Sequence, residues 1–297
     1  MQLARPWKII GALWSAAIIL GVVLVYNIGA VLVAPSNHPI GNPPAGLRAQ
    51  NVEFPSASGA TIHGWFVAGE PGRGVVVLMH GVHADRMTLI ARAQFLSRAG
   101  YSVLLFDFQG HGESQGRQIT FGFLESRDAT AAVKFIHGKL PGEKVGVIGI
   151  SLGAASALLA NPPLPVNAMI LESWYPTIYQ AAEDRLAMRF GWLGKLATPL
   201  LTCQFKPRLG ISLDDLKPLK CARNISVPKF FLAGTADRDT TIEEARSLFA
   251  AAAEPKQAWW VDGAAHVDLH AFAQREYERR VLAFLANHLY QNQAKDF

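Results

Sequence analysis

The chain has 297 residues, half of them hydrophobic and 17% charged, which excludes a disordered chain or a marginal mini-protein and fits one enzyme-sized unit with an appendage. Its formal charge is +5, of which Arg5 and Lys8 supply +2, so the basic excess of the remainder is too small to argue for a nucleic-acid partner. Two cysteines, Cys203 and Cys221, with no C-x-x-C spacing, argue against a disulfide framework, a structural zinc and dithiol redox chemistry.

From Ile9 to Val33 the chain runs 25 residues without a charge, long enough as a helix to cross a hydrocarbon core of about 30 Å. Residues 9–33 are therefore predicted to be a transmembrane anchor. Arg5 and Lys8 precede it and the next basic residue is Arg48, so the positive-inside bias puts residues 1–8 in the cytoplasm. The bulk of the chain then lies outside the cytoplasm, in the periplasm if the cell is Gram-negative. A cleaved signal is the competing reading. It fits less well because the apolar run is long and a cut after Ala34 has Leu32 at −3 and Pro35 at +1.

Residues 34–50 hold four prolines between Pro35 and Gln50 and no apolar periodicity, the composition of an extended spacer. The folded domain is expected over 51–297. Strands are predicted at Thr61–Val67, Val75–Met79, Ser102–Phe106, Val145–Ile150, Ala168–Leu171, Lys229–Ala233 and Ala258–Val261. Helical periods fit Arg86–Ala99, Glu125–His137, Ser151–Ala160, Ile242–Ala253 and Phe272–Tyr290. The alternation implies an α/β fold with a mostly parallel sheet and helices on both faces. The stretch 172–227, broken by prolines and too long for a simple connection, reads as an inserted cap.

The chemistry centres on Gly149-Ile150-Ser151-Leu152-Gly153, a G-x-S-x-G placed between a predicted strand and a predicted helix. Such an elbow strains the serine backbone and exposes its hydroxyl at the sheet's C-terminal edge. A serine hydroxyl is a weak nucleophile near neutral pH, so it needs a histidine to take its proton and a carboxylate to orient that histidine. Both should follow Ser151, acid first. Asp237 lies on the turn after the strand at Lys229–Ala233 and is the preferred acid, with Asp239 as the substitute. His266 lies on the loop after the strand at Ala258–Val261 and is preferred as base over His270 and His288. The oxyanion donors are expected to be the backbone amides of Leu152 and of Val82, the latter in His80-Gly81-Val82-His83. That histidine pair lacks the H-E-x-x-H pattern of a metal site, and neither metal nor cofactor is predicted.

In LMHG, LLFDFQGHGESQG, GISLGA, GTADRDT and DGAAH, taken in this order across residues 51–290, the chain resembles the α/β-hydrolase superfamily. It is most similar to bacterial serine aminopeptidase-like and lysophospholipase-like members, many of them membrane-tethered. The resemblance implies an eight-stranded, mostly parallel sheet, a cap after the sixth strand, Ser151, Asp237 and His266 as triad, and Val82 and Leu152 as oxyanion donors. Gln109 departs from it, standing where such members often carry Arg, which puts a loop-anchoring contact in question.

The cap carries Trp174, Trp192 and Phe205, predicted to bind substrate, and its basic excess suits anionic headgroups. The residues thus point to a membrane-anchored serine hydrolase acting on small-molecule or lipid esters with hydrophobic acyl groups. A peptidase or amidase on the same triad and a non-catalytic tethered binding module are the alternatives. In an oxidising compartment Cys203 and Cys221 have the opportunity to bridge.

Overall fold

The computed structural model describes residues 6–291; Arg5, with the rest of 1–5, and the tail 292–297 lie outside the described residues. One long helix, α1 (Pro6–Val33), precedes β1 (Ser36–Asn37), β2 (Ala49–Pro55) and β3 (Thr61–Val67). Next come β4 (Val75–Met79), a 3-10 turn at Arg86–Leu89 running into α2 (Ile90–Arg98), β5 (Ser102–Phe106) and the short β6 (His111–Gly112). They are followed by α3 (Glu125–Lys139), β7 (Val145–Ile150), α4 (Leu152–Leu159) and β8 (Ala168–Glu172). Four helices then intervene, α5 (Ile178–Phe190), α6 (Trp192–Thr202), α7 (Phe205–Leu209) and α8 (Pro218–Ala222). The chain closes with β9 (Lys229–Gly234), α9 (Ile242–Ala251), β10 (Lys256–Val261), α10 (Leu269–Phe272) and α11 (Gln274–Leu289).

Eight strands form one sheet in the order β10-β9-β8-β7-β4-β5-β3-β2. β3 runs antiparallel to β2 and β5, and every other pairing in this sheet is parallel. All residues of β4, β5 and β8 are buried, which is why their sequences are continuous apolar runs and not alternating ones. Residues of α3, α4, α8 and α9 cover one face, and residues of α2 and α11 cover the other. The loops at the C-terminal ends of the parallel strands therefore meet along one edge, the usual place for a site in a doubly wound sheet.

Two expectations need correction. The edge strand β2 was not predicted: Gln50, Asn51 and Glu53 are solvated, and an antiparallel edge strand needs only a few buried residues, here chiefly Phe54. The proline-rich segment is not a free spacer either. β1 pairs with β6, Asn37 Nδ2 donates to the carbonyls of Gly112 and Ser114, and the amides of Ile40 and Gly41 donate to Glu113 Oε1 at 3.0 Å each. Glu113 is in turn paired with buried Arg86, so the segment is fastened to the loop after β5.

The helix α1 divides into two parts. Trp7–Leu24 is exposed on all sides, whereas Val25, Gly29 and Val33 are buried against the helices between β8 and β9. A side chain on Gly29 would stand 2.5 Å from Gln204 Oε1, so the two helices approach closely because this residue has none. Gln204 Nε2 donates to the Val25 carbonyl at 3.2 Å, and Arg208 donates to the Tyr26 carbonyl at 2.8 Å while stacking 4.1 Å over its ring.

Candidate active site

Ser151 links β7 to α4 with φ 50° and ψ −105°, a backbone conformation that costs a non-glycine residue about 1–3 kcal/mol. The strain is held by the Ser151 amide donating to the Glu172 carbonyl at 2.8 Å and the Ala155 amide donating to the Ser151 carbonyl at 3.0 Å. Both flanking glycines are required. A Cβ on Gly149 would fall 2.6 Å from the Ala154 nitrogen, and one on Gly153 2.4 Å from the Met79 carbonyl oxygen.

Asp237 and His266 stand on the turns after β9 and β10. His266 Nδ1 lies 2.8 Å from Asp237 Oδ2, which fixes the tautomer with Nε2 free to take a proton. The Asp237 oxygens also accept from the amides of Asp239 and Thr240 and from the Thr240 hydroxyl. Burial pushes this carboxyl up, but the His266 imidazole and the Thr240 donors outweigh it and hold the group below its ordinary value. Ser151 and His266 line one polar cavity. They are not hydrogen-bonded to each other in this geometry; such contacts commonly tighten only when substrate binds.

The ligand atoms of Asp237, Asp239 and His266 lie within 4.8 Å of one another, close enough to hold a metal ion. As placed, Asp237 is committed to its hydrogen-bond donors, and Asp239 faces Arg185 at 3.7 Å. The trio is thus a hydrogen-bonded Asp237–His266 pair beside a cap contact made by Asp239.

Val82 and Leu152 both line an apolar cavity that Ser151 shares. Leu152 opens α4, where the first helical amides lack intrahelical acceptors and the helix dipole is positive. The loop carrying Val82 is braced by His80, whose Nδ1 donates to the Gly81 carbonyl at 2.7 Å while Nε2 accepts the Phe108 amide at 3.0 Å. Burial lowers the His80 pKa to about 4, so this ring is a neutral cross-link between two loops. Gln109 supplies the anchoring that its departure from Arg put in question: its Nε2 donates to the Gln118 carbonyl and to Glu125 Oε1, both at 2.8 Å.

Ser151 also lines a second, apolar cavity, walled by Phe121, Tyr175, Ile178, Leu186, Leu201 and Phe205 and by Ile28 and Leu32 of α1. Of the three aromatic residues predicted to bind substrate, only Phe205 is there. Trp174 is fully buried in the main core, 4.8 Å from Phe231, while its neighbours Ser173 and Tyr175 line the cavities on the other side of the turn after β8. Trp192 begins α6 on its outer side and is 71% exposed. The cavity residues of α1 and the Phe121 loop carried no motif; Leu186 and Leu201 follow from helix periodicity only once the cap helices are placed.

Among the described residues, the non-glycine residues with positive φ are His83, Phe121, Ser151 and Ser173, and each lines one of these two cavities. Backbone strain concentrated around one serine is a mark of a functional site. Cys203 and Cys221 are both free thiols, so no bridge staples the cap.

A family model described as serine aminopeptidase, S33, matches residues 70–213. The chain is 26% identical to the uncharacterised YfhR protein of Salmonella typhimurium over 93% of both chains. It is also 34% identical to the thiohydrolase aneE of Aspergillus aculeatus, over 36% of this chain and 35% of that one. Among solved structures, an esterase of Pyrococcus furiosus superposes with a TM-score of 0.72 at 24% identity, covering 87% of this chain and 98% of the other. An esterase of Exiguobacterium antarcticum gives 0.60 at 17% identity, covering 80% and 99%. With the eight-stranded sheet, the strained serine elbow and the hydrogen-bonded Asp237–His266 pair following it in this order, the chain has the α/β-hydrolase fold.

Proposed function

We propose that the chain is a membrane-anchored serine hydrolase that cleaves carboxylic esters with hydrophobic acyl groups through an acyl-enzyme. Ser151 Oγ attacks the ester carbonyl while His266 Nε2 takes its proton, and Asp237 stabilises the imidazolium that results. The amides of Val82 and Leu152 receive the oxyanion. His266 then returns the proton to the leaving alcohol, and water, activated by the same histidine, frees the acid and restores Ser151.

The observation that carries this reading is the position of Ser151 at the junction of two unlike cavities, one apolar and one polar with His266 on its wall. An acyl chain suits the first and a polar leaving group the second. The description of the matching family model favours a peptidase as the second reading. An aminopeptidase needs an unpaired carboxylate for the substrate's amino group, yet Asp239 and Asp268, the carboxylates lining the polar cavity, face Arg185 and Arg92. The exposed part of α1, Trp7–Leu24, at about 1.5 Å per residue is about 27 Å long, which supports a single crossing with the N-terminus in the cytoplasm and the catalytic domain outside it.

The test is an ester series from acetyl to dodecanoyl, run on the full chain in detergent beside aminopeptidase substrates. Turnover should rise with acyl length and then break at a limit. Fastest turnover on acetyl removes the hydrophobic-acyl reading, and faster cleavage of unblocked peptide amides promotes the peptidase.

A further inference from the structure

The N-terminal helix does more than hold the domain near a bilayer. Its last two turns are part of the cavity that Ser151 lines: Ile28 and Leu32 stand on its wall beside residues of α5, α6 and α7. These turns are fixed in place. Val25 packs with Leu186 and Leu201, Gln204 and Arg208 hold the carbonyls of Val25 and Tyr26, and the Val33 carbonyl accepts the Ile119 amide at 2.8 Å. A helix meant only as a tether needs none of these contacts.

The position of the docked turns sets the depth of the cavity. Nine residues, Val25–Val33, make the docked part and the preceding apolar stretch is left bare, so the outer boundary of the bilayer falls where the helix meets the cap. At that level α6 turns Gly194, Thr198, Leu201 and Thr202 inward and leaves Trp192, Leu193, Leu196 and Leu200 uncovered on its outer side. A helix that leaves four large apolar side chains uncovered beside a membrane-crossing helix has that side in contact with acyl chains, with exposed Lys195 at its flank able to reach toward the headgroups. Phe190 and Met188, also exposed, extend that surface from the end of α5.

We infer that the anchor helix is a specificity element: Ile28 and Leu32 form the distal wall of the acyl cavity, which receives the acyl chain of a membrane-resident ester directly from the outer leaflet. The inference rests on the esterase reading of Ser151 and deepens it. It names the substrate class as lipid esters whose acyl chain leaves the bilayer alongside α1 and reaches Ser151 without crossing water. The exposed α6 face lies in the leaflet and keeps the entrance dry.

The test uses the full chain in phosphatidylcholine nanodiscs and the ratio of kcat/KM for a dodecanoyl ester to that for an acetyl ester. Ile28→Trp and Leu32→Trp fill this end of the cavity, so the ratio should fall at least about tenfold. Val31→Trp, on the exposed side of the same helix, should leave the ratio unchanged. Ile28→Ala and Leu32→Ala enlarge the same space and should move the preferred acyl length up by one or more methylenes, which decides the matter if the tryptophan variants fail to fold. An unchanged ratio in folded tryptophan variants, or an unchanged length optimum in the alanine variants, overturns the inference and leaves the esterase reading standing. No ester turnover by wild type at any length overturns the esterase reading itself.

Discussion

Arg92 and Asp268 are joined across the fold, the guanidinium on α2 donating to the carboxylate at 2.7 Å, two residues beyond His266. The same guanidinium donates to Glu172 at 2.8 Å, and the Glu172 carbonyl is the acceptor of the Ser151 amide. The Tyr277 hydroxyl donates to Glu172 and lies 3.1 Å from Arg92 Nε. One buried cation thus ties the loop of the proposed base to the elbow of the proposed nucleophile, and it also completes the charge balance of Glu172 in the core.

Replacing Arg92 by Met should therefore cost about 3–5 kcal/mol, because it leaves the Glu172 carboxylate buried without its partner. Denaturant unfolding reads this directly. The double variant Arg92→Met/Glu172→Gln should recover part of the loss, since both charges are then gone. A wild-type midpoint for Arg92→Met would show that the network contributes nothing.

The two carboxylates after β9 are separated by their partners. Asp237 is buried and holds His266 Nδ1, so Asp237→Asn should lower kcat by about 10⁴-fold by presenting the wrong tautomer. Asp239 faces only Arg185, at 3.7 Å and partly exposed, and Asp239→Asn should cost about tenfold or less. The reverse ranking in a steady-state assay transfers the acid role to Asp239.

His80 makes the fold acid-sensitive. Its pKa is about 4 in the folded chain, through burial, against about 6.5 when unfolded, so the folded state binds fewer protons in between. Its contribution is complete above pH 6.5 and is lost as pH falls through 4, amounting to about 3 kcal/mol. His111, lowered to about 4 by burial and by His80 beside it, acts in the same direction. Stability measured by urea unfolding between pH 7 and pH 4 should fall less steeply in His80→Gln than in wild type. Parallel declines in the two proteins would assign the acid sensitivity elsewhere.

The three aromatic residues of the cap should part company on mutation. Phe205→Ala should change the acyl-length profile, because Phe205 lines the apolar cavity. Trp174→Ala should destabilise by about 3–5 kcal/mol, because it empties a core position. Trp192→Ala, at an exposed position, should do neither in detergent. An unaltered profile in Phe205→Ala would contradict the assignment of this cavity to the acyl chain.

The sheet was readable from the sequence wherever burial on both faces forced continuous apolar runs, as at Val75–Met79 and Val145–Ile150, whose ends match the observed strands. The elbow was readable because Gly149 and Gly153 are dictated by backbone contacts within a few residues and across to β4. Trp174, Trp192 and Phe205 were grouped by composition, and composition does not say which side of a helix or turn a residue takes. Ile28 and Leu32 were hidden for a related reason: an unbroken apolar run has no periodicity to separate residues that face lipid from residues that face protein.

The proposed hydrolysis requires Ser151 as the nucleophile. Treatment of the full chain with a fluorophosphonate, followed by peptide mass spectrometry, should place one adduct on the peptide containing Ser151, and Ser151→Ala should show none while unfolding at a midpoint close to wild type. A full-occupancy adduct in Ser151→Ala, or an adduct on another residue of the wild-type chain, would contradict it.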